Sequence, residues 1–254
     1  MRRYKRKKKM KNTIETEDII IEETSSSIEV TELIPLGNPA NDNMKTIAEM
    51  TDQFSHTIDP ILRMYNAAMS AATARLEIIK DEFYYRNLRC PIHHIDTRLK
   101  SAGSILGKLE KKNLDLTLTA ACNNIYDIAG IRIVCPYIKD VYLIRDRILA
   151  QDDLHILDIK DYIETPKKNG YRSLHIIIRI PVYFMNKKQL VPVELQIRTL
   201  AMDLWASLEH DIRYKTIQTS GQTDFNFSNE LFECSELIYQ AEEKMAAMNA
   251  VLES

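Results

Sequence analysis

K-N-G-Y-R-S-L-H at residues 168–175 and V-E-L-Q-I-R-T at 193–199 decide the fold, because each stretch carries polar chemistry along one edge of a strand. In the second, Val193, Leu195 and Ile197 alternate with Glu194, Gln196 and Arg198. A period of two buries the first set and aligns the second on the opposite face. An antiparallel strand with one solvated face is the commonest reason for such alternation, but the neighbouring stretches argue against it. Leu174, Ile176, Ile178 and Ile180 define a second strand with His175 on its other face, directly after a glycine turn bearing a tyrosine and lysines. I-R-I-V-C at 131–135 sets Arg132 against Ile131 and Ile133, with Asp127 upstream, and T-R-L-K at 97–100 sets Arg98 and Lys100 against Leu99. Four strands then share a face that mixes a few acids with several bases, a combination suited to metal-assisted phosphate chemistry.

The hairpin of residues 172–198, turning near 186–188, is antiparallel and excludes a purely parallel dinucleotide-binding sheet. Neither G-x-G-x-x-G nor a Walker loop occurs, so nucleotide phosphates must be held mainly by side chains. Outside the strands, helices are expected from Met44 to about Arg86, with Asp59-Pro60 as a cap or break, and over 101–112, 117–126 and 141–149. A further helix over 200–214 has Leu204, Trp205, Leu208 and Ile212 as its apolar side, and a last one starts near Ser228. The fold class is therefore α+β: a mixed sheet of about five strands flanked by N- and C-terminal helical extensions.

With 254 residues, 45% of them hydrophobic, the chain is long enough to bury one sizeable core. Residues 44–254 are expected to form a single domain. No apolar run approaches the roughly 18 residues of a membrane span, and no secretion signal follows the basic start, so a cytoplasmic protein is expected. Four scattered cysteines without a C-x-x-C pair signal neither a disulfide framework nor a zinc site. Net charge is −2 but unevenly spread: residues 2–11 are almost wholly basic and the next twenty are acidic. Such blocks read as a disordered tail over residues 1–43, whose basic end has the charge to touch RNA but is neutralised in cis.

Five motifs occur together and in order: R-L-K-S-A-G-S-I-L-G-K-L from Arg98, D-I-A-G-I-R-I-V-C-P from Asp127, N-G-Y-R-S-L-H from Asn169, V-E-L-Q-I-R-T-L-A-M-D-L-W-A from Val193 and L-E-H-D-I-R-Y-K from Leu208. The set resembles the small alarmone synthetases, most closely the RelP-type branch, single-domain relatives of the Rel/SpoT enzymes. The resemblance spans roughly residues 90–215. It implies a nucleotidyltransferase-like core, a homotetramer built through the flanking helices, and transfer of the β,γ-diphosphate of ATP to the 3'-hydroxyl of GTP or GDP.

By that resemblance Asp127 corresponds to the family's Mg²⁺-binding aspartate, while Glu194 corresponds to the base that deprotonates the 3'-hydroxyl and also faces the metal. Arg98 and Arg132 correspond to the arginines that clasp adenine, for which planar guanidinium groups suit stacking. Lys100, Ser104 and Lys108 fall where the family contacts ATP phosphates. Tyr171 corresponds to the tyrosine stacked on guanine, presented by the turn at Asn169 and Gly170, with Lys160, Lys167 and His175 near the acceptor's phosphates. Asp203 is suited to reading guanine, since a carboxylate accepts from N1–H and the 2-amino group, donors that adenine lacks as a pair. His210-Asp211 looks like the metal-binding pair of the long relatives' hydrolase site, but it lies inside the synthetase motif, and synthesis without degradation is expected. The rival readings are diphosphate transfer to a tRNA end or an adenine nucleotide, and a non-catalytic RNA-binding oligomer; Asp203 argues against the adenine acceptor, and Asp127 with Glu194 against the oligomer.

Overall fold

The computed structural model describes residues 47–218 and 227–252, so the stretch expected to be a tail, 1–43, lies outside the described residues. Eleven elements follow in order: α1 (Ile47–Tyr85), β1 (His94–Leu99), α2 (Ala102–Lys111), α3 (Leu118–Asn124), β2 (Ala129–Cys135), α4 (Ile138–Leu149), β3 (His155–Asp161), β4 (Leu174–Phe184), β5 (Lys187–Thr199), α5 (Leu200–Gln218) and α6 (Phe227–Leu252). The strands form one mixed sheet in the order β1-β2-β5-β4-β3. β2 and β5 run parallel at its centre, and the other three pairs are antiparallel. The α+β class and the five-stranded mixed sheet are as the sequence predicts.

Alternation divides the sheet as expected. Ile131, Ile133, Leu174, Ile176, Ile178, Val193, Leu195 and Ile197 are all buried, and α1 crosses β1, β2, β4 and β5. Its contact face is Ile58, Ile61, Met64, Tyr65, Ala68, Ala72, Leu76 and Ile79, every one buried at helical spacing. At 39 residues the helix is about 58 Å long. The expected break at Asp59-Pro60 does not occur: Pro60 lies inside α1. An interior proline costs roughly 3 kcal/mol, and the fully packed Ile58, Ile61 and Met64 around it outweigh that loss.

The hairpin turn falls at Met185 and Asn186, one residue earlier than predicted. Both have positive φ, 49° and 62°, the twist that two-residue hairpin loops favour, and Lys187 and Lys188 already pair with Phe184 and Tyr183. The apolar side expected of α5 is also corrected. Met202 and Trp205 are buried, whereas Leu204 and Leu208 are 55% and 53% exposed. The first turn of α5 is tied to the end of β5, where the Met202 amide donates to Thr199 Oγ1 at 3.2 Å, so the face covered by the sheet and α6 is the one carrying 202 and 205.

α6 packs on α5 and brings in a buried acid, Glu242, only 6% exposed. Neither of its oxygens makes a hydrogen bond of good geometry. Burial pushes its carboxyl up to about 7, with Thr199 and Arg172 pulling the other way and Glu243 adding to the rise. A raised carboxyl is no burden while both states are protonated, and it costs stability as pH rises from the ordinary range through about 7, up to ~3 kcal/mol above it. Glu242→Gln is therefore expected to raise the melting temperature by several degrees at pH 8 and to change it little near pH 4.5; an equal effect at both values would refute the buried-charge penalty.

Candidate active site

The polar face of the sheet gathers residues that are far apart in sequence. Gly130 stands opposite Glu194 and Arg132 opposite Gln196 across the parallel pair, Gln196 faces His175 on β4, and His175 faces Lys160 on β3. On the other edge Asp96 pairs with Arg132 and Arg98 with Gly130. Nearly all the expected site residues thus lie on or above one surface.

Asp127, just before β2, is the focus of the first cluster. Lys108 Nζ donates to its Oδ2 at 2.6 Å and Lys100 Nζ to the same oxygen at 3.2 Å. Oδ1 is buried without a hydrogen-bond partner. Burial alone would raise this carboxyl, but the two lysines outweigh it and hold it below its ordinary value. Lys108 reaches in from α2, whose start is fixed by Ser101: its Oγ accepts from the Ser104 amide at 3.3 Å and lies 2.9 Å from Ser104 Oγ. Ser104 is exposed on the first turn, as a phosphate contact requires, but its hydroxyl is shared with the cap.

Glu194 is the focus of the second cluster. Its Oε1 lies 3.0 Å from His175 Nδ1, its Oε2 accepts from Gln196 Nε2 at 2.8 Å, and His175 Nε2 lies 2.9 Å from the Tyr171 hydroxyl. Burial pushes the Glu194 carboxyl up; the His175 hydrogen bond and charge and the Gln196 amide more than reverse this, against an opposing push from Asp127. Glu194 is therefore ionised near neutral pH, and Asp127 is close enough for the two charges to interact.

Aromatic rings wall this end. Tyr171 lies edge-on to Tyr162 at 6.1 Å and to His175 at 5.8 Å, with Trp205 at 6.3 Å. Lys167 Nζ sits 4.7 Å from the Tyr171 ring and 4.5 Å from that of Tyr162. Lys160, by contrast, is 57% exposed and pairs with Asp158 at 2.9 Å. Asn169 shapes the turn, accepting from the Tyr171 amide at 3.3 Å while its Nδ2 donates to Glu209 at 3.2 Å. Gly170 has φ +89°, and a Cβ there would lie 2.6 Å from Ser235 Cβ on α6. Ser235 Oγ donates to the Gly170 carbonyl at 2.6 Å, so α6 braces the turn from behind.

Asp203 rides on the first turn of α5 and faces Arg198 Nη1 at 3.4 Å and Arg132 Nη1 at 3.5 Å, both on Oδ1. The pairing joins a residue expected near adenine to one expected to read guanine. Arg98 is exposed on the edge strand β1, and His210 and Asp211 are exposed on α5. Sequence reading assigned no role to Ser101, Tyr162, Arg172, Gln196 or Arg198. For Gln196 and Arg198 the signal was available, since they share the polar face with Glu194; for Tyr162 and Arg172 it was not, because their partners are set by the chain's return through β4 and α6.

A mixed sheet that collects two ionised carboxylates, several lysines and arginines and an aromatic–histidine wall on one face has the groups that an enzyme of phosphate-group transfer needs. The particular family follows from comparison, and the chain belongs to the small alarmone synthetases, the single-domain GTP pyrophosphokinases. Residues 97–219 match the region found in RelA / SpoT proteins. The chain is 42% identical over 184 residues to the GTP pyrophosphokinase YwaC of Bacillus subtilis, covering 72% of this chain and 86% of the relative. To YjbM, a GTP pyrophosphokinase of the same organism, it is 34% identical over 151 residues, covering 59% and 70%. Small alarmone synthetase 1 of B. subtilis, solved with its product pppGpp, superposes with a TM-score of 0.70 at 30% identity over 80% of this chain and 100% of that one. Small alarmone synthetase 2 of B. subtilis superposes with 0.65 at 41% identity over 74% and 96%.

Proposed function

We propose that this protein transfers the β,γ-diphosphate of ATP to the 3'-hydroxyl of GTP or GDP, releasing AMP and forming pppGpp or ppGpp as a stringent-response signal. The observation that carries the reading is the juxtaposition on one sheet face of Asp127, bound by two lysines, with an ionised Glu194 that is hydrogen-bonded to the His175–Tyr171 pair. Two lysines converging on one oxygen mark a place prepared for the negative charge of phosphates. A half-buried carboxylate one strand away supplies a base for a weak hydroxyl nucleophile.

Asp127 Oδ1, buried and without a hydrogen bond, is a donor that suits a hard cation. Mg²⁺ is an ion bound by one or two carboxylates, with phosphate and water completing its shell. Asp127 and Glu194 would hold it, and it would neutralise charge on the transferred diphosphate. Lys100, Lys108 and the first turn of α2 bind the donor's phosphates, Arg98 and Arg132 the adenine. Tyr171 packs on guanine, Lys167 and His175 face the acceptor's phosphates and ribose, and Glu194 takes the 3'-hydroxyl proton.

Assembly as a homotetramer is supported by the exposed apolar residues on the flanking helices. Leu237, Met245, Met248 and Leu252 are 66%, 60%, 62% and 87% exposed, and their spacing places them along one side of α6. No helix among the described residues is long and apolar enough to cross a membrane; we place the protein in the cytoplasm, where both nucleotides are available.

The test is incubation with Mg²⁺, labelled ATP and each of GTP, GDP, GMP and ITP, with chromatography of the products. Labelled pppGpp or ppGpp is expected, and Asp203→Ala is expected to lose the preference for GTP over ITP. Transfer to tRNA or adenine nucleotides alone, or salt-sensitive RNA binding without turnover, would replace this reading.

A further inference from the structure

Arg198 is the least exposed charged group of the site, its side chain 4% accessible, whereas Arg132, the other partner of Asp203, is 38% accessible. Its guanidinium is divided between two neighbours: Nη1 lies 3.4 Å from Asp203 Oδ1 as an ion pair, an oxygen that is buried and makes no hydrogen bond, and Nη2 donates to Gln196 Oε1 at 2.8 Å. The amide of Gln196 is thereby oriented. With its oxygen against Arg198, its nitrogen must face Glu194, to which it donates at 2.8 Å; the flipped amide would set nitrogen against guanidinium and oxygen against carboxylate. Glu194, Gln196 and Arg198 share one face of β5 at steps of two. Asp203 follows within the first turn of α5, and that turn is fixed by the Thr199–Met202 cap. Strand end, cap and helix start thus hold Asp203 over Arg198 as one rigid junction.

We propose that Arg198 is a specificity-determining residue, which holds the Asp203 carboxylate in the orientation that reads guanine and joins that reader, through Gln196, to Glu194. The inference rests on the diphosphate-transfer reading above. The difference in burial separates the roles of the two arginines. Arg132 is accessible enough to turn toward the donor nucleotide, while Arg198 has no such path and remains the permanent partner of Asp203. A guanidinium serves here because one arm of its planar fork donates to the Gln196 amide while the other carries positive charge to the Asp203 carboxylate, a division that a lysine ammonium, a point charge on a flexible stem, does not reproduce.

Arg198→Lys and Gln196→Leu test this against the wild type, with Kd for GTP and ITP read by calorimetry and kcat and KM by product formation. ITP lacks only the 2-amino donor, so its disadvantage reports the reader. Arg198→Lys is expected to shrink the GTP-over-ITP preference in both Kd and kcat/KM by about tenfold, and to lower kcat. Gln196→Leu, which leaves the Arg198–Asp203 pair in place, is expected to lower kcat and keep the preference within about twofold of wild type. A purely structural Arg198 would lower activity toward both acceptors equally, and an unchanged GTP-over-ITP ratio in Arg198→Lys overturns the proposal. If Arg198→Lys does not melt cooperatively, Arg198→Gln, which retains a donor for Gln196 but no charge for Asp203, carries the same comparison. A wild type that transfers diphosphate to neither GTP nor ITP overturns the functional reading itself, and the inference with it.

Discussion

Glu194→Gln is expected to lower kcat by roughly 10²–10⁴-fold, the usual worth of a positioned general base, while leaving the affinities for ATP and GTP within a few-fold of wild type. The separation follows from what the side chain touches. Its oxygens meet His175 Nδ1 at 3.0 Å and Gln196 Nε2 at 2.8 Å, and an amide of the same shape can satisfy both. Its oxygen would accept from Gln196, and its nitrogen would donate to His175 Nδ1. The imidazole then carries its proton on Nε2 and donates to the Tyr171 hydroxyl, reversing the 2.9 Å hydrogen bond without breaking it. The pocket survives and the base does not. Burial raises the Glu194 carboxyl, and His175 and Gln196 pull it below its ordinary value, so the acid limb of the wild-type rate set by this group should lie below the usual glutamate range. Product formation by the variant within tenfold of wild type, with calorimetry showing normal binding, would remove Glu194 from the chemistry. Thermal melting of the variant, which should be cooperative, distinguishes lost chemistry from lost fold.

The division of the sheet into two faces was legible because alternation has a period that only one register satisfies. Once Val193, Leu195 and Ile197 are assigned to the core, Glu194, Gln196 and Arg198 must share the other side. The same reasoning placed Arg132 and His175 correctly, and the observed register sets both opposite Gln196. What alternation does not carry is partner identity. Nothing in the sequence says that Lys100 and Lys108 meet on a single oxygen of Asp127, since that depends on how α2 turns back over β2. Nor does it say that Arg198 and Arg132 converge on Asp203, a contact set by the junction between β5 and α5.

The errors have the same origin. Pro60 was read as a break from local chemistry alone, and the packing of α1 across the sheet overrode it. Of the apolar residues that the sequence puts on α5, Trp205 is buried, but the cap at Thr199 sets the rotation of the helix and leaves Leu204 and Leu208 exposed.

The turn at Gly170 is braced by a hydrogen bond from Ser235, sixty-five residues distant in sequence. Gly170→Ala is expected to cost about 2–5 kcal/mol of stability, the sum of two separable penalties. A non-glycine residue at φ +89° pays roughly 1–2 kcal/mol for the left-handed backbone, and the new methyl, 2.6 Å from Ser235 Cβ and 3.1 Å from Phe232 Cα, forces an overpacking shift of roughly 1–3 kcal/mol. The shift must be taken up either by α6 or by the turn, and the turn carries Tyr171. KM for the acceptor should therefore rise more than KM for ATP, whose phosphates are proposed to bind at Lys100 and Lys108, beside Asp127 rather than Tyr171. Ser235→Gly removes the atom met at 2.6 Å, losing the hydrogen bond to the Gly170 carbonyl and roughly 0.5 kcal/mol of helix propensity. In the double variant the contacts with the Ser235 side chain are relieved, while the 3.1 Å approach to Phe232 Cα and the backbone penalty stay, so chemical denaturation should show the two substitutions coupling favourably by roughly 1–2 kcal/mol. Strict additivity would mean that α6 does not press on the turn in solution, and an acceptor KM unchanged in Gly170→Ala would mean that the turn does not place Tyr171.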